Sequence, residues 1–314
     1  MDWLEKDYQT TSGITLHYGE IPGPGDTLVL IHGEGMAFRD YDTALPHLAG
    51  HFHLYAVDCP GHGKSSKNPA DYSCRRIGGT VAEFLRNMVG PCLLAGHSSG
   101  AILAAYVAGA EPELVRGVLL EDPPFFKILP EEMENTFLWK NRFLLTHRFL
   151  SQPWERDYFL FYYRYNYILH ALSPSIAEKI YDDAWAYRQQ HPTGPIKLQR
   201  LPTAAMQSYR FWDDYDLQFS ECFYTGSWFD GVTQEALLQE IPCPTVYLKA
   251  KTRYGDDGVL WSANDDEDAR RVEELIPHCR RVNVRSGHSV HFERPRAFCR
   301  AVRILAQDVR KARR

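Results

Sequence analysis

The chain has 314 residues, of which 44% are hydrophobic and 24% charged, the balance of an ordinary globular protein. Its net charge of −5 argues against a nucleic-acid binder, which needs a basic face. No run reaches the roughly 18 apolar residues that a membrane span requires, so no membrane partner is expected.

Seven cysteines, at 59, 74, 92, 222, 243, 279 and 299, form no C-x-x-C pair and are odd in number, which predicts free thiols in a reducing compartment. The first residues carry neither a basic nor an apolar signal region, so a cytoplasmic protein is expected.

Two β-like runs, 8–11 and 14–18, open the chain around a Ser12-Gly13 turn. Residues 27–31 (Thr-Leu-Val-Leu-Ile) are continuously apolar and β-branched, the pattern of a parallel strand buried on both faces. Residues 54–57, 92–95, 117–120 and 245–248 repeat that pattern, and 282–284 is a shorter case. Helical periodicity covers 72–88, 101–109, 265–276 and 295–309. The basic end, Arg310 to Arg314, reads as a solvated helix terminus. Strands alternating with helices predict an α/β fold, a doubly wound and mostly parallel sheet. The alternation stops between about 125 and 241, where the chain is helix-like and rich in aromatics. The expected organisation is therefore a core of 1–124 and 242–314 with a helical cap, 125–241, inserted in it. Most cap aromatics should be packing, with a minority facing a pocket between cap and sheet.

Chemistry concentrates at Gly96-His97-Ser98-Ser99-Gly100, which fits the G-x-S-x-G nucleophile elbow. An apolar strand leads in and an alanine-rich helix leads out, so the turn should lift Ser98 above the sheet edge. The competing reading is an ordinary strand–turn–helix with a capping serine. A serine alcohol needs a base, and the base needs an orienting carboxylate. His288 follows Gly287 in the loop between the last strand and the last helix, where a side chain can reach over the sheet edge; His291 lies three residues on.

The chain resembles α/β-hydrolase-fold enzymes. The resemblance rests on His32-Gly33, on Asp58-Cys59-Pro60-Gly61-His62-Gly63-Lys64-Ser65, on the elbow, and on Gly287-His288 with Phe292-Glu293-Arg294-Pro295, in family order across 32–295. It implies Ser98 as nucleophile, His288 as general base, and an oxyanion hole from the backbone N–H groups of Glu34 and Ser99. It implies no cofactor and no metal. The acid has three candidate sites. Most members place it after the fifth core strand, where this chain has Arg253 at the usual position and Asp256 and Asp257 slightly late. A minority, including haloalkane dehalogenases and zearalenone lactonase-like enzymes, place it at the end of the preceding strand, where Glu121-Asp122 stand. Asp122 ranks first, Asp256 or Asp257 second, and Glu121 third; neighbours on a strand face opposite ways, so only one of Glu121 and Asp122 can meet His288. The Glu34 side chain is expected to face solvent or to pair with a base such as Arg39.

The function implied is hydrolysis of a carboxylic ester or lactone of a fairly bulky apolar small molecule. A carbon–carbon bond hydrolase on the same scaffold and a non-catalytic small-molecule receptor are the alternatives. Epoxide hydrolase and haloalkane dehalogenase are disfavoured, because both need an aspartate where Ser98 stands. Oligomerisation stays open.

Overall fold

The computed structural model describes residues 2–207 and 209–312; Arg313 and Arg314 of the basic end lie outside the described residues. Eight strands form one sheet: β1 (Leu4–Gln9), β2 (Thr15–Ile21), β3 (Thr27–Ile31), β4 (His53–Val57), β5 (Cys92–His97), β6 (Val115–Glu121), β7 (Thr245–Lys249) and β8 (Cys279–Asn283). Their order is β1-β2-β4-β3-β5-β6-β7-β8. β1 and β2 run antiparallel to their neighbours and the remaining pairs are parallel.

Period-two alternation divides each central strand between two cores. Val29 and Ile31 of β3 join one cluster with Ile77, Val81, Ile102 and Leu103, whereas Leu28 and Leu30 join another with Val302 and Leu305. The helices Cys74–Phe84, Ser99–Ala110 and Asp266–Leu275 contribute to the first cluster and Pro295–Ala312 to the second, so the sheet is covered on both sides. This explains why the parallel strands read as unbroken apolar runs.

The edge strands depart from the expected bounds. β1 begins at Leu4, before the run anticipated at 8–11, and it is mostly exposed. Its partner β2 supplies the pairing, so little apolar signal marks it in sequence. β8 lies earlier than 282–284 and is only partly buried. The helix expected over 72–88 is regular only to Phe84 and closes in a wider turn, Leu85–Val89, before Gly90 at φ 76°.

Between β6 and β7 the described chain is helical and irregular. Tyr158, Phe159, Phe161, Tyr163, Tyr209 and Trp212 pack in an aromatic cluster separate from the two sheet cores. Trp154 and Trp185 are exposed. No helix among the described residues is long and apolar enough to cross a membrane.

Candidate active site

The elbow forms because its two glycines permit close backbone approach. A Cβ on Gly96 would lie 2.1 Å from the Gly100 carbonyl oxygen, and one on Gly100 would lie 2.3 Å from that of His32. Ser98, between β5 and the helix Ser99–Ala110, sits at φ 55° and ψ −121°. A non-glycine residue at positive φ is strained, and such strain gathers at functional sites. Asp122, at the end of β6, is also at positive φ, 43°.

That turn aims Asp122 at the β8 loop. Its Oδ2 accepts from His288 Nδ1 at 2.8 Å, and its Oδ1 accepts from the Ala250 N–H at 3.0 Å. Asp122 is fully buried, and the His288 side chain is 25% exposed. With Nδ1 donating to the carboxylate, Nε2 is left as the basic nitrogen. Ser98 and His288 line one cleft. No hydrogen bond joins Ser98 Oγ to His288 among the described residues; such bonds commonly tighten only around a substrate.

The other candidate acids are elsewhere. Glu121 faces away from His288, as strand alternation requires. Its carboxylate takes the His291 backbone N–H at 2.7 Å and His291 Nδ1 at 2.9 and 3.0 Å. His291 Nε2 meets Asp40 Oδ2 at 2.8 Å, and Gln207 closes the chain on Asp40 Oδ1. Glu121, Asp40 and His291 are all buried. Burial opposes charge on His291, but Glu121 and Asp40 outweigh it and lift its pKa to about 10. Asp256 and Asp257 are exposed, and Asp257 accepts from Tyr167 instead. The loop after β7 therefore brings no carboxylate to His288, because the two aspartates come too late in it.

His97 lies between the two histidines, with ring centroids 4.6 Å from His288 and 4.9 Å from His291. Burial, then His288 and His291, push its pKa well down, so it is neutral. Its Nδ1 has no partner among the described residues.

The turn after β3 faces the elbow. The backbone N–H groups of Glu34 and Ser99 donate to no acceptor among the described residues, which leaves them available to an oxyanion. His32 and His62 brace this turn, accepting from the N–H groups of Cys59 and Gly35. The Glu34 side chain turns away from solvent and pairs with a base, but the base is Arg142 and not Arg39. The side chain of Glu34 is 9% exposed; its Oε1 accepts from Tyr215 Oη at 2.9 Å and lies 3.9 Å from Arg142 Nε. Arg39 instead pairs with Asp2, Glu5 and Asp42. Glu34 points to the inserted segment, 108 and 181 residues away along the chain, so nothing local could have revealed its partners.

The cleft has a volume of about 1100 Å³. Phe137, Leu138, Ile168, Leu169, Leu172 and Leu201 give it an apolar wall. Of the many aromatics between β6 and β7, Phe137, Tyr162, Tyr209 and Trp212 reach it. Arg142 also lines it, stacked over Trp212 at 4.4 Å, with its Nη1 unpartnered among the described residues. Arg142 carried no signal in the sequence.

A strand–turn–helix elbow on a mostly parallel sheet, with a carboxylate-bound histidine at its edge, defines a class of hydrolase scaffold. The chain belongs to the Alpha/beta hydrolase family, whose pattern it matches over residues 28–301. It is similar to (E)-2-((N-methylformamido)methylene)succinate hydrolase of Acinetobacter baylyi, with 34% identity over 114 residues, 36% of this chain and 43% of that one. It is also similar to pimeloyl-[acyl-carrier protein] methyl ester esterase of Yersinia pseudotuberculosis, with 34% identity over 98 residues, 31% of this chain and 36% of that one. The matched region thus spans less than half the length of these relatives. Among solved structures, a membrane phospholipase A described as a bacterial virulence factor superposes with a TM-score of 0.67 at 22% identity, covering 98% of this chain and 87% of that one. That likeness concerns the fold.

Proposed function

We propose that this protein is a serine hydrolase of carboxylic esters or lactones, working through an acyl-enzyme. The observation that carries this reading is the 2.8 Å bond from His288 to the buried Asp122, on the same cleft as Ser98 at its strained elbow. Ser98 Oγ attacks the carbonyl carbon while His288 Nε2 takes its proton. The N–H groups of Glu34 and Ser99 receive the oxyanion. Asp122 holds the imidazole in the tautomer with Nε2 free and stabilises the imidazolium that forms. His288 then protonates the departing alkoxide, and the C–O bond breaks. Water, deprotonated by His288, attacks the acyl carbon, and Ser98 leaves with that proton as the carboxylic acid is released. No cofactor or metal enters these steps.

The apolar wall supports a substrate with a bulky apolar body. The relative named as a methyl ester esterase supports the ester reading. The seven cysteines are all free, which supports a reducing, cytoplasmic setting.

A fluorophosphonate probe tests the mechanism. Wild-type protein should gain one covalent adduct, mapped by mass spectrometry to Ser98, and Ser98→Ala should gain none. A folded wild-type chain that refuses the probe would favour a non-catalytic receptor.

A further inference from the structure

The cleft is lined by apolar residues and by cations. Apart from Arg142, these cations come from the loops that follow β7 and β8. Lys251 and Arg253 follow β7; Arg285 follows β8, three residues before His288; Arg294 follows the short helix Val290–Glu293. All four line the cleft that holds Ser98 and His288, and all four are exposed.

These four cations have no carboxylate partner among the described residues, unlike Arg310 on Asp26 or Arg280 on Asp308. Arg294 donates only to the Glu293 carbonyl, and Arg253 lies over the Trp261 ring. Glu293, the acid beside them, is committed to the Gly287 N–H at 2.9 Å. The two loops are tied together: the Val284 N–H donates to the Lys249 carbonyl and the Lys251 N–H to that of Ser286. Four positive charges without a carboxylate partner thus border one opening against the single charge of Glu293, in a chain whose net charge is −5. Like charges held close repel, and a ligand of opposite sign relieves that repulsion.

We propose that the substrate is an amphiphilic anionic ester: its apolar stem lies on the Leu138–Leu169 side, and a carboxylate or phosphate-type group is held at the mouth by Lys251, Arg253, Arg285 and Arg294. This rests on the ester-hydrolase reading of Ser98. It sharpens the substrate from merely bulky and apolar to bulky with one charged end. The charged end needs no deep pocket, because exposed cations recognise it through their summed field. That field acts on encounter and discrimination, and salt weakens it.

Three esters of matched length test this: phenyl valerate, monophenyl glutarate and phenyl 4-phosphonobutanoate. At low salt, kcat/KM should favour the anionic esters by about tenfold over phenyl valerate, the sum of several weak exposed contacts. The better of the two anions identifies the head group as carboxylate or phosphate. The readout is the anionic-to-neutral ratio, which cancels any general loss of activity. It should fall toward one in Lys251→Glu/Arg285→Glu, in the separate pair Arg253→Glu/Arg294→Glu, and in wild-type protein at high salt. A ratio near one in wild type, or a preference that survives both double variants and high salt, overturns the proposal. Titrating the same esters onto Ser98→Ala separates the two readings. Anion-selective binding there, with no hydrolysis by wild type, removes the hydrolase and leaves the anion site. Hydrolysis without anion preference does the reverse.

Discussion

Two histidine–carboxylate pairs have their histidines three residues apart after β8 and their carboxylates one residue apart at the end of β6, yet they differ in kind. His288 binds Asp122 through Nδ1 alone, and its ring opens on the cleft. His291 is bound at both nitrogens, by Glu121 and Asp40, and is sealed from solvent. A base needs a free nitrogen and access to the proton it takes. The His288 pair has both and the His291 pair has neither. The same side chains therefore serve two ends, and what separates them is which face of β6 each carboxylate occupies. Glu121 points below the edge into the packing around Tyr41 and Phe298, whose rings lie 4.6 and 5.9 Å from that of His291. Asp122, one residue on and turned by its positive φ, points to the rim.

Substitutions at the two pairs should separate cleanly. Asp122→Asn should lower kcat by about 10³-fold, because the amide no longer stabilises the imidazolium or the required tautomer, with the midpoint of unfolding little changed. Asp256→Asn, on the loop that brings no carboxylate to His288, should stay within about twofold of wild type. Steady-state kinetics on a p-nitrophenyl ester measures both. Equal small losses would break the comparison at its first term.

His291→Ala should do the opposite. It strands two buried carboxylates, and breaking a buried ion pair typically costs about 3–5 kcal/mol. Denaturant unfolding should show this loss directly. Protein that stays folded in the cold should retain most of its kcat, since the His288–Asp122 bond is intact. If His291→Ala were as inactive as Asp122→Asn while still folded, the sealed pair would have a share in the chemistry.

Much of this contrast was legible in sequence, for reasons of range. The elbow is a contiguous motif, and continuous apolar runs mark strands buried on both faces, so Ser98 and its sheet could be placed from residues 27–31 and 92–100 alone. The period of a strand showed that only one of Glu121 and Asp122 could meet His288, but which one, and whether the acid came from β6 or from the β7 loop, needed the path of the chain. The exposed β1 left little apolar pattern, because the bonds it makes to β2 belong to the backbone. That Glu34 would pair with a base could be expected, but not that the base is Arg142, because Arg142 and Tyr215 reach it from the inserted segment, whose packing no local pattern encodes. The cations of the mouth were likewise hidden, since exposed Lys and Arg are common and only the fold brings residues 251, 253, 285 and 294 to one opening.

The smallest expected effect concerns pH, and it bears on the charge of the sealed pair. Between Glu121 and Asp40, His291 has a pKa of about 10, well above the ordinary histidine value of about 6.5 in the unfolded chain. The shift is upward, so its contribution to stability is complete below about pH 6.5. It is lost as pH rises toward 10, because over that range the native state holds a proton that the unfolded chain has released. Thermal unfolding of wild-type protein should therefore show a midpoint that declines from about pH 7 to 10. In His291→Gln, which keeps a hydrogen-bonding side chain but cannot carry the proton, the midpoint should start lower and the decline should flatten. Parallel declines in the two proteins would mean that His291 is neutral in the native state. Glu121 and Asp40 would then share their protons some other way, and the two pairs would differ in access alone rather than in charge.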